Sequence, residues 1–307
     1  GPRAGHQHAM TRLRSAALGM LADRVLGEPP AAVHPVAAFG TAMQAVEQRL
    51  HADRRIAGVA HAAIGATIGA VGGRLVGSTA VATWLAVAGR SLGEAATAVG
   101  EALTADDLQQ ARVLLPSLVG RDPSRLDQAE IVRAVVESVA ENTVDAVVAP
   151  ALWAAVAGAP GALAHRAVNT MDAMVGYRNF RYRRYGWAAA KLDDGAAWVP
   201  ARATVLLVAA CRPQAARDVL TAVRRDAPAH PSPNSGVAEA AFAGALGLRL
   251  GGASRYGDRV EVRPTLGGGR PPEPVDIGRA VRLSADVGLA LAAVLTGIDH
   301  ARGVRLP

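Results

Sequence analysis

Long stretches without charge alternate along this chain with short clusters of polar residues. Arg55 to Arg90 encloses the longest apolar region, broken only by Arg74. As a helix, Ile56 to Gly73 would be about 27 Å long, close to a bilayer core of about 30 Å. Leu75 to Gly89 would reach only about 22 Å, a marginal length. Both runs are rich in Ala and Gly, which suits close helix packing in a membrane. The same composition also fits a buried hairpin of a soluble protein. A third run, Ala146 to Ala164, carries Pro150 and Pro160; a fourth, Gly195 to Cys211, carries Arg202; a fifth, Leu283 to Ile298, carries Asp286. A charge at the centre of a span costs roughly 2.5–3.5 kcal/mol. The pattern therefore predicts four or five membrane segments, with such charges near an interface or facing protein.

The remaining segments read as helices and turns. Gly1 to Ala9 reads as an upstream extension or expression scar ahead of Met10, with no apolar stretch of the kind a signal peptide needs. Thr11 to Leu26 is weakly helical until Gly27-Glu28-Pro29-Pro30 breaks it. His34-Pro35 and Phe39-Gly40 read as irregular, followed by a helix over Thr41 to Leu50. Ser91 to Val119 and Asp127 to Asp145 are polar helical stretches, the second opened by a capping box of Asp127 and Glu130. Arg263 to Pro274 reads as an exposed loop. Strand alternation is scarce and no long repeat is visible. The expected fold is all-α and polytopic, with residues 11–307 forming one membrane-embedded domain.

Composition narrows the function classes. Half of the 307 residues are hydrophobic and 19% are charged, which excludes intrinsic disorder. Cys211 is the only cysteine, so neither a disulfide scaffold nor a Cys-built zinc site is available. The net charge of +7 is carried almost wholly by arginine, because Lys191 is the only lysine. No nucleic-acid-binding motif accompanies that charge, and no nucleic-acid partner is expected. Arginines between apolar runs fit loops kept on the cytoplasmic side of a membrane.

Three polar clusters carry candidate chemistry. Glu137, Glu141 and Asp145 recur every four residues, along one helix stripe. Such acids suit Mg²⁺ carried by a nucleotide; the stripe equally suits a solvated face, with Arg133 pairing to Glu137. The second cluster holds Arg166, Asn169, Asp172, Tyr177, Arg178, Asn179, Arg181, Tyr182, Arg183, Arg184 and Tyr185, then Lys191, Asp193 and Asp194. Guanidinium forks there match phosphate or carboxylate geometry, unless the loop serves only to fix topology. The third, His230-Pro-Ser-Pro-Asn234-Ser-Gly236 with Glu239, is a rigid turn before a helix whose free N–H groups suit phosphate. A lone histidine there is more often structural. No Walker loop, nucleophile elbow or dinucleotide fingerprint is present.

In order, Asp23-Arg-Val-Leu-Gly-Glu-Pro-Pro30, His34-Pro-Val36, Leu115 to Asp122, Glu137 to Asp145, Arg166 to Asp194, Arg225-Asp226, the His230 turn and Arg249 to Gly252 resemble the cobalamin biosynthesis family CobD/CbiB, adenosylcobinamide-phosphate synthase. The resemblance covers roughly residues 20 to 260. It implies a multi-pass protein of the cell membrane, its polar motif segments cytoplasmic. It implies an ATP-dependent ligase joining the free propionate of adenosylcobyric acid to aminopropanol or its phosphate. On the matched motifs, Glu137, Glu141, Asp193 and Asp194 would handle Mg²⁺ and nucleotide, and Lys191 joins the catalytic set. Asp172 would be the base. Arg178, Arg181 and His230 would contact phosphate or carboxylate, Asn142, Asn169 and Asn234 the corrin amides, and Tyr177 and Tyr182 a planar ligand. Membrane lipid and other corrin-pathway enzymes are the further partners it implies. The chain departs from the family in its short first apolar run and in Ala196-Ala197-Trp198, where Ala-Asn-Tyr is usual. A non-catalytic scaffold or carrier for corrinoids is the rival reading of the apolar runs.

Overall fold

The computed structural model describes residues 2–30, 34–120, 123–177, 179–256 and 259–304. The protein is 79% helical, as the apolar pattern predicts; among the described residues it also has a two-stranded sheet, which the pattern does not predict. Among the described residues, four helical stretches are long and apolar enough to cross a membrane: Arg55–Val76, Gln128–Val175, Trp187–Cys211 and Pro274–Arg302. Contacts divide the chain into two compact units. One comprises residues 1–88, 145–197 and 291–307; the other comprises 89–144 and 198–290.

The first unit is built from α1 (Pro2–Leu26), α2 (Pro35–Leu50), α3 (Arg55–Val76), α4 (Thr79–Ala86) and α8 (Ala149–Val175). The start of α9 (Trp187–Cys211) and the end of α12 (Pro274–Val304) belong to it as well. Here α2 begins earlier than the sequence pattern suggests. His34 caps it by accepting the Val36 N–H at 3.2 Å, and Pro35 occupies the first turn, where no N–H is needed. The marginal Leu75–Gly89 run is not a span, since α4 has only eight residues.

Along α3, Gly65, Gly69 and Gly73 recur every four residues against α8. A Cβ on Gly69 would stand 2.6 Å from the Leu163 carbonyl oxygen, and one on Gly73 2.4 Å from that of Ala159. Only hydrogen at these positions lets the two backbones approach so closely. Just before these contact points α8 bends at Gly158, whose φ of 69° is left-handed, two residues before Pro160. The core beside this helix pair is Met43, Val168, Met171, Val175, Tyr185 and Ala189.

The second unit holds α5 (Gly89–Thr104), α6 (Leu108–Leu114), α7 (Gln128–Thr143), α10 (Ala216–Asp226) and α11 (Ser235–Leu246), with the remaining parts of α9 and α12. The capping box is present as read: Asp127 accepts the Glu130 N–H at 2.8 Å and Glu130 accepts the Asp127 N–H at 3.0 Å. The stretch read as polar is otherwise interior, because Ile131, Val132, Val135, Val136 and Val139 are all fully buried. The segment read as a loop from Arg263 is partly strand. β1 (Leu250–Tyr256) pairs antiparallel with β2 (Arg259–Leu266), across a bulge between Leu250 and Gly252. Left-handed Gly251 and Gly252 supply that bulge.

Candidate functional site

Within the second unit, three segments distant in sequence meet. Glu137 is only 3% exposed on α7, and its Oε1 accepts the Gly251 N–H of β1 at 2.9 Å. Arg133 lies one turn earlier, its Nε 3.9 Å from the same oxygen. Glu141, one turn later and half-buried, accepts a 2.7 Å hydrogen bond from Ser235 Oγ at the start of α11. The solvated-face alternative therefore fails for Glu137. Local helix spacing cannot reveal this, because the burial comes from β1 and α11.

The turn before α11 is rigid for identifiable reasons. His230 Nδ1 stands 3.1 Å from both the N–H and the carbonyl oxygen of Ser232, while Ser232 Oγ accepts the N–H groups of Asn234 and Ser235, which are therefore not free for phosphate, contrary to what the sequence pattern suggests. Asn234 Oδ1 takes a 2.8 Å hydrogen bond from Arg202. With Nδ1 engaged by the Ser232 backbone, the other polar atom of the ring is Nε2. That atom is buried and stands 3.9 Å from Glu239 Oε1. Burial pushes the His230 pKa down, and Arg263 adds to the effect, so the imidazole is neutral at pH 7. Nearby, Arg225 forks onto Asp226 at 2.6 and 2.9 Å, and Gly267 donates to the same carboxylate at 2.8 Å. The Arg225 hydrogen bonds hold Asp226 below the usual carboxylate range.

The first unit carries the other candidates. Asn169 Nδ2 donates to Asp193 Oδ1 at 3.3 Å, joining α8 to α9. Lys191 Nζ donates to Asp194 Oδ2 at 2.9 Å. Asp172 is half-buried one turn after Asn169, and Asn142, on α7 of the second unit, spends its amide on Ser138. Arg181 donates at 3.0 Å to Glu47, a buried acid on α2, and Tyr182 Oη donates to the same oxygen at 3.0 Å. The Tyr177 ring stands 6.4 Å from that of Tyr182. Arg178 lies outside the described residues. Behind this layer Tyr185 is fully buried, its hydroxyl pushed up to about 12 by burial and by the Glu47 charge.

Residue-by-residue reading missed Glu47. Its signal is register, since it follows Met43 by four residues on the buried face of α2. Arg166 of the second cluster, on α8, has Glu28, Asp145 and Asp23 within electrostatic reach, neighbours that the sequence pattern does not show. His34 Nε2 stands 3.6 Å from Glu28 Oε1. Among the described residues, no group of three or more His, Cys, Asp or Glu is placed to hold a metal ion. The donor set is therefore not a protein-only metal cage. Glu137 and Glu141, two carboxylates on one helix face, match an ion that arrives with phosphate oxygens of its own.

A family model described as CobD/Cbib protein matches residues 16–284. The chain belongs to the CobD/CbiB family. Cobalamin biosynthesis protein CobD of Mycobacterium tuberculosis (strain CDC 1551 / Oshkosh) is 50% identical over 302 residues, covering 93% of this chain and 96% of that protein. The protein of the same name from Geobacter metallireducens is 42% identical over 84% of this chain and 86% of its own length. That of Pelobacter propionicus is 40% identical over 92% and 96%. No solved structure matches the chain. As a CobD/CbiB member it is a protein of cobalamin biosynthesis, with the apolar helices of a membrane protein.

Proposed function

We propose that the protein is an ATP-dependent ligase that joins the free propionate of adenosylcobyric acid to aminopropanol or its phosphate. The carrying observation is the convergence of Glu137, Glu141, His230, Asn234 and Gly251 in one unit, from three segments far apart in the chain. A scaffold or carrier has no use for buried carboxylates held by hydrogen bonds beside a neutral histidine, where desolvation is costly. Amide formation proceeds by transfer of the γ-phosphoryl group to the propionate, releasing ADP. The amine, once it has lost its ammonium proton, attacks the acyl carbon and phosphate leaves. Mg²⁺ travelling with ATP would supply charge neutralisation at the transferring phosphoryl group, held at Glu137 and Glu141.

The chain's own groups do the rest. At the start of α11 the N–H groups of Asn234 and Ser235 are spent on Ser232 Oγ and those of Val237 and Ala238 on the Asn234 carbonyl, so His230, rather than the helix start, suits phosphoryl oxygens. Carboxamides of Asn142, Asn169 and Asn234 suit the corrin periphery, which is itself lined with amides. Asp193 and Asp194 suit the cationic amine or the nucleotide's ion, and Asp172 suits the ammonium proton as base. In this reading the polar motif segments face the cytoplasm. The purified protein in detergent is expected to convert ATP to ADP and phosphate only when corrinoid acid and amine are both present. ATP turnover independent of the amine, or amide formed without ATP, would overturn the ligase reading.

A further inference from the structure

A second basic feature uses Arg183 and Arg184 of the second sequence cluster, which the proposed ligase reaction leaves without a role. Arg54, Arg55, Arg183 and Arg184 line an open cavity of about 570 Å³ in the first unit, together with Asp53. Four guanidinium groups share this space with a single carboxylate. Asp53 approaches Arg184 at 3.6 Å, and both side chains are more than half exposed. The cavity also sits at the N-terminus of α3, where Arg54 makes no side-chain cap and the first turn contains no acid. Asp53, just before the N-cap, is the one acid lining the cavity at the positive end of that helix dipole, which adds to the field of the four arginines.

The position of the cavity points to the ligand. Both α3 and α9 are apolar helices of spanning length, and both begin here. The Arg55 guanidinium lies 4.9 Å from the Trp187 ring centroid, tying the two helix starts together. Ile56, next to Arg55 in the chain, is 72% exposed, and Phe180, three residues before Arg183, is 90% exposed. Aromatic and apolar side chains next to arginines at the ends of spans mark the headgroup level of a bilayer. We propose that this cavity binds a phosphate group, and that an anionic phospholipid of the surrounding leaflet presents it. Arginine forks can engage two oxygens of one phosphate, which ammonium groups do not match. The proposal rests on the membrane reading of α3 and α9 and is independent of the ligase reading.

The test uses the full chain purified in detergent and offered an equal mixture of phosphatidylglycerol and phosphatidylcholine. Bound lipid is read by native mass spectrometry. The wild-type protein is expected to retain phosphatidylglycerol in preference, by about tenfold. The double variant Arg54→Gln/Arg183→Gln should lose that preference while keeping its thermal unfolding profile. Arg54→Lys/Arg183→Lys should keep part of it, because charge remains but the forks do not. Inorganic phosphate, in a parallel arm, should not raise the unfolding temperature as phosphatidylglycerol does. Equal retention of the two lipids by the wild-type protein would overturn the proposal without any variant. Stabilisation by inorganic phosphate alone would overturn the lipid source.

Discussion

At Asp193 and Asp194 local contacts already separate folding from chemistry. Asp193 accepts a hydrogen bond from Asn169, among its contacts, and an asparagine at 193 keeps an oxygen there to accept it. Asp194 pairs with Lys191 at a largely exposed site, where such pairs contribute little to stability. Asp193→Asn and Asp194→Asn are therefore expected to abolish amide synthesis while the unfolding temperature stays near wild type; near-normal turnover would remove both from the site. His230 gives a pH signature. Its folded-state pKa is depressed below the ordinary 6.5 by burial. Below pH 6.5 the unfolded chain gains a proton that the folded chain refuses, so stability is lost as pH falls through that window. Asp226, also depressed, titrates below the ordinary 3.8 and leaves the window undisturbed. The wild-type unfolding temperature should drop between about pH 7.5 and about pH 5.5, and His230→Asn should drop less. Equal slopes in both proteins would show that His230 is not held neutral by the fold.

On the scale of single elements, α3 and α8 show what sequence pattern can and cannot specify. The apolar run from Ile56 to Gly73 becomes a 22-residue helix, and its Ala/Gly content is used as membrane helices use it, for close approach. Which glycines matter is a tertiary fact. Gly69 faces the Leu163 carbonyl and Ala167 at contact distance, whereas a Cβ on Gly72 meets only Leu163 Cδ1 at 4.0 Å. Gly69→Ala should therefore destabilise by about 1–3 kcal/mol through overpacking. Gly72→Ala should be neutral or stabilising by up to about 1 kcal/mol, from helix propensity alone. Unfolding of both variants in one detergent decides it, and the same sign for both would mean that α3 and α8 do not pack as described. The same limit governs the site. The four-residue spacing of Glu137 and Glu141 was legible, because both belong to one helix. Glu47 was not, because its partners Arg181 and Tyr182 lie more than 130 residues away. The β1–β2 pair escaped as well: glycines at 251 and 252 break the alternation that marks a strand, and bulge pairing needs both strands in view.

Across the whole molecule, the distribution of side-chain size argues for lipid. On α3 the small residues Gly58, Gly65, Gly69 and Gly73 are buried, while Ile56, Ile64, Ile68, Val71 and Leu75 are exposed. The same inversion holds elsewhere: Val156 on α8, Val199 and Leu206 on α9, and Val294 and Ile298 on α12 are all exposed. In water such surfaces would form apolar patches beyond what monomeric soluble proteins carry. In a bilayer they face acyl chains, and α3 at about 33 Å matches a core of about 30 Å. Charges on the spans follow the corresponding rule, since Arg14 reaches the buried Asp299 and Arg212 reaches Asp286 at 2.8 Å. The protein is therefore expected to sediment with membranes, to resist extraction by alkaline carbonate, and to need detergent for recovery as a monodisperse species. Release of the full chain into the carbonate supernatant would mean that the exposed isoleucines and valines are covered by protein. The lipid site at Arg54, Arg55, Arg183 and Arg184 would then lose the bilayer that places it.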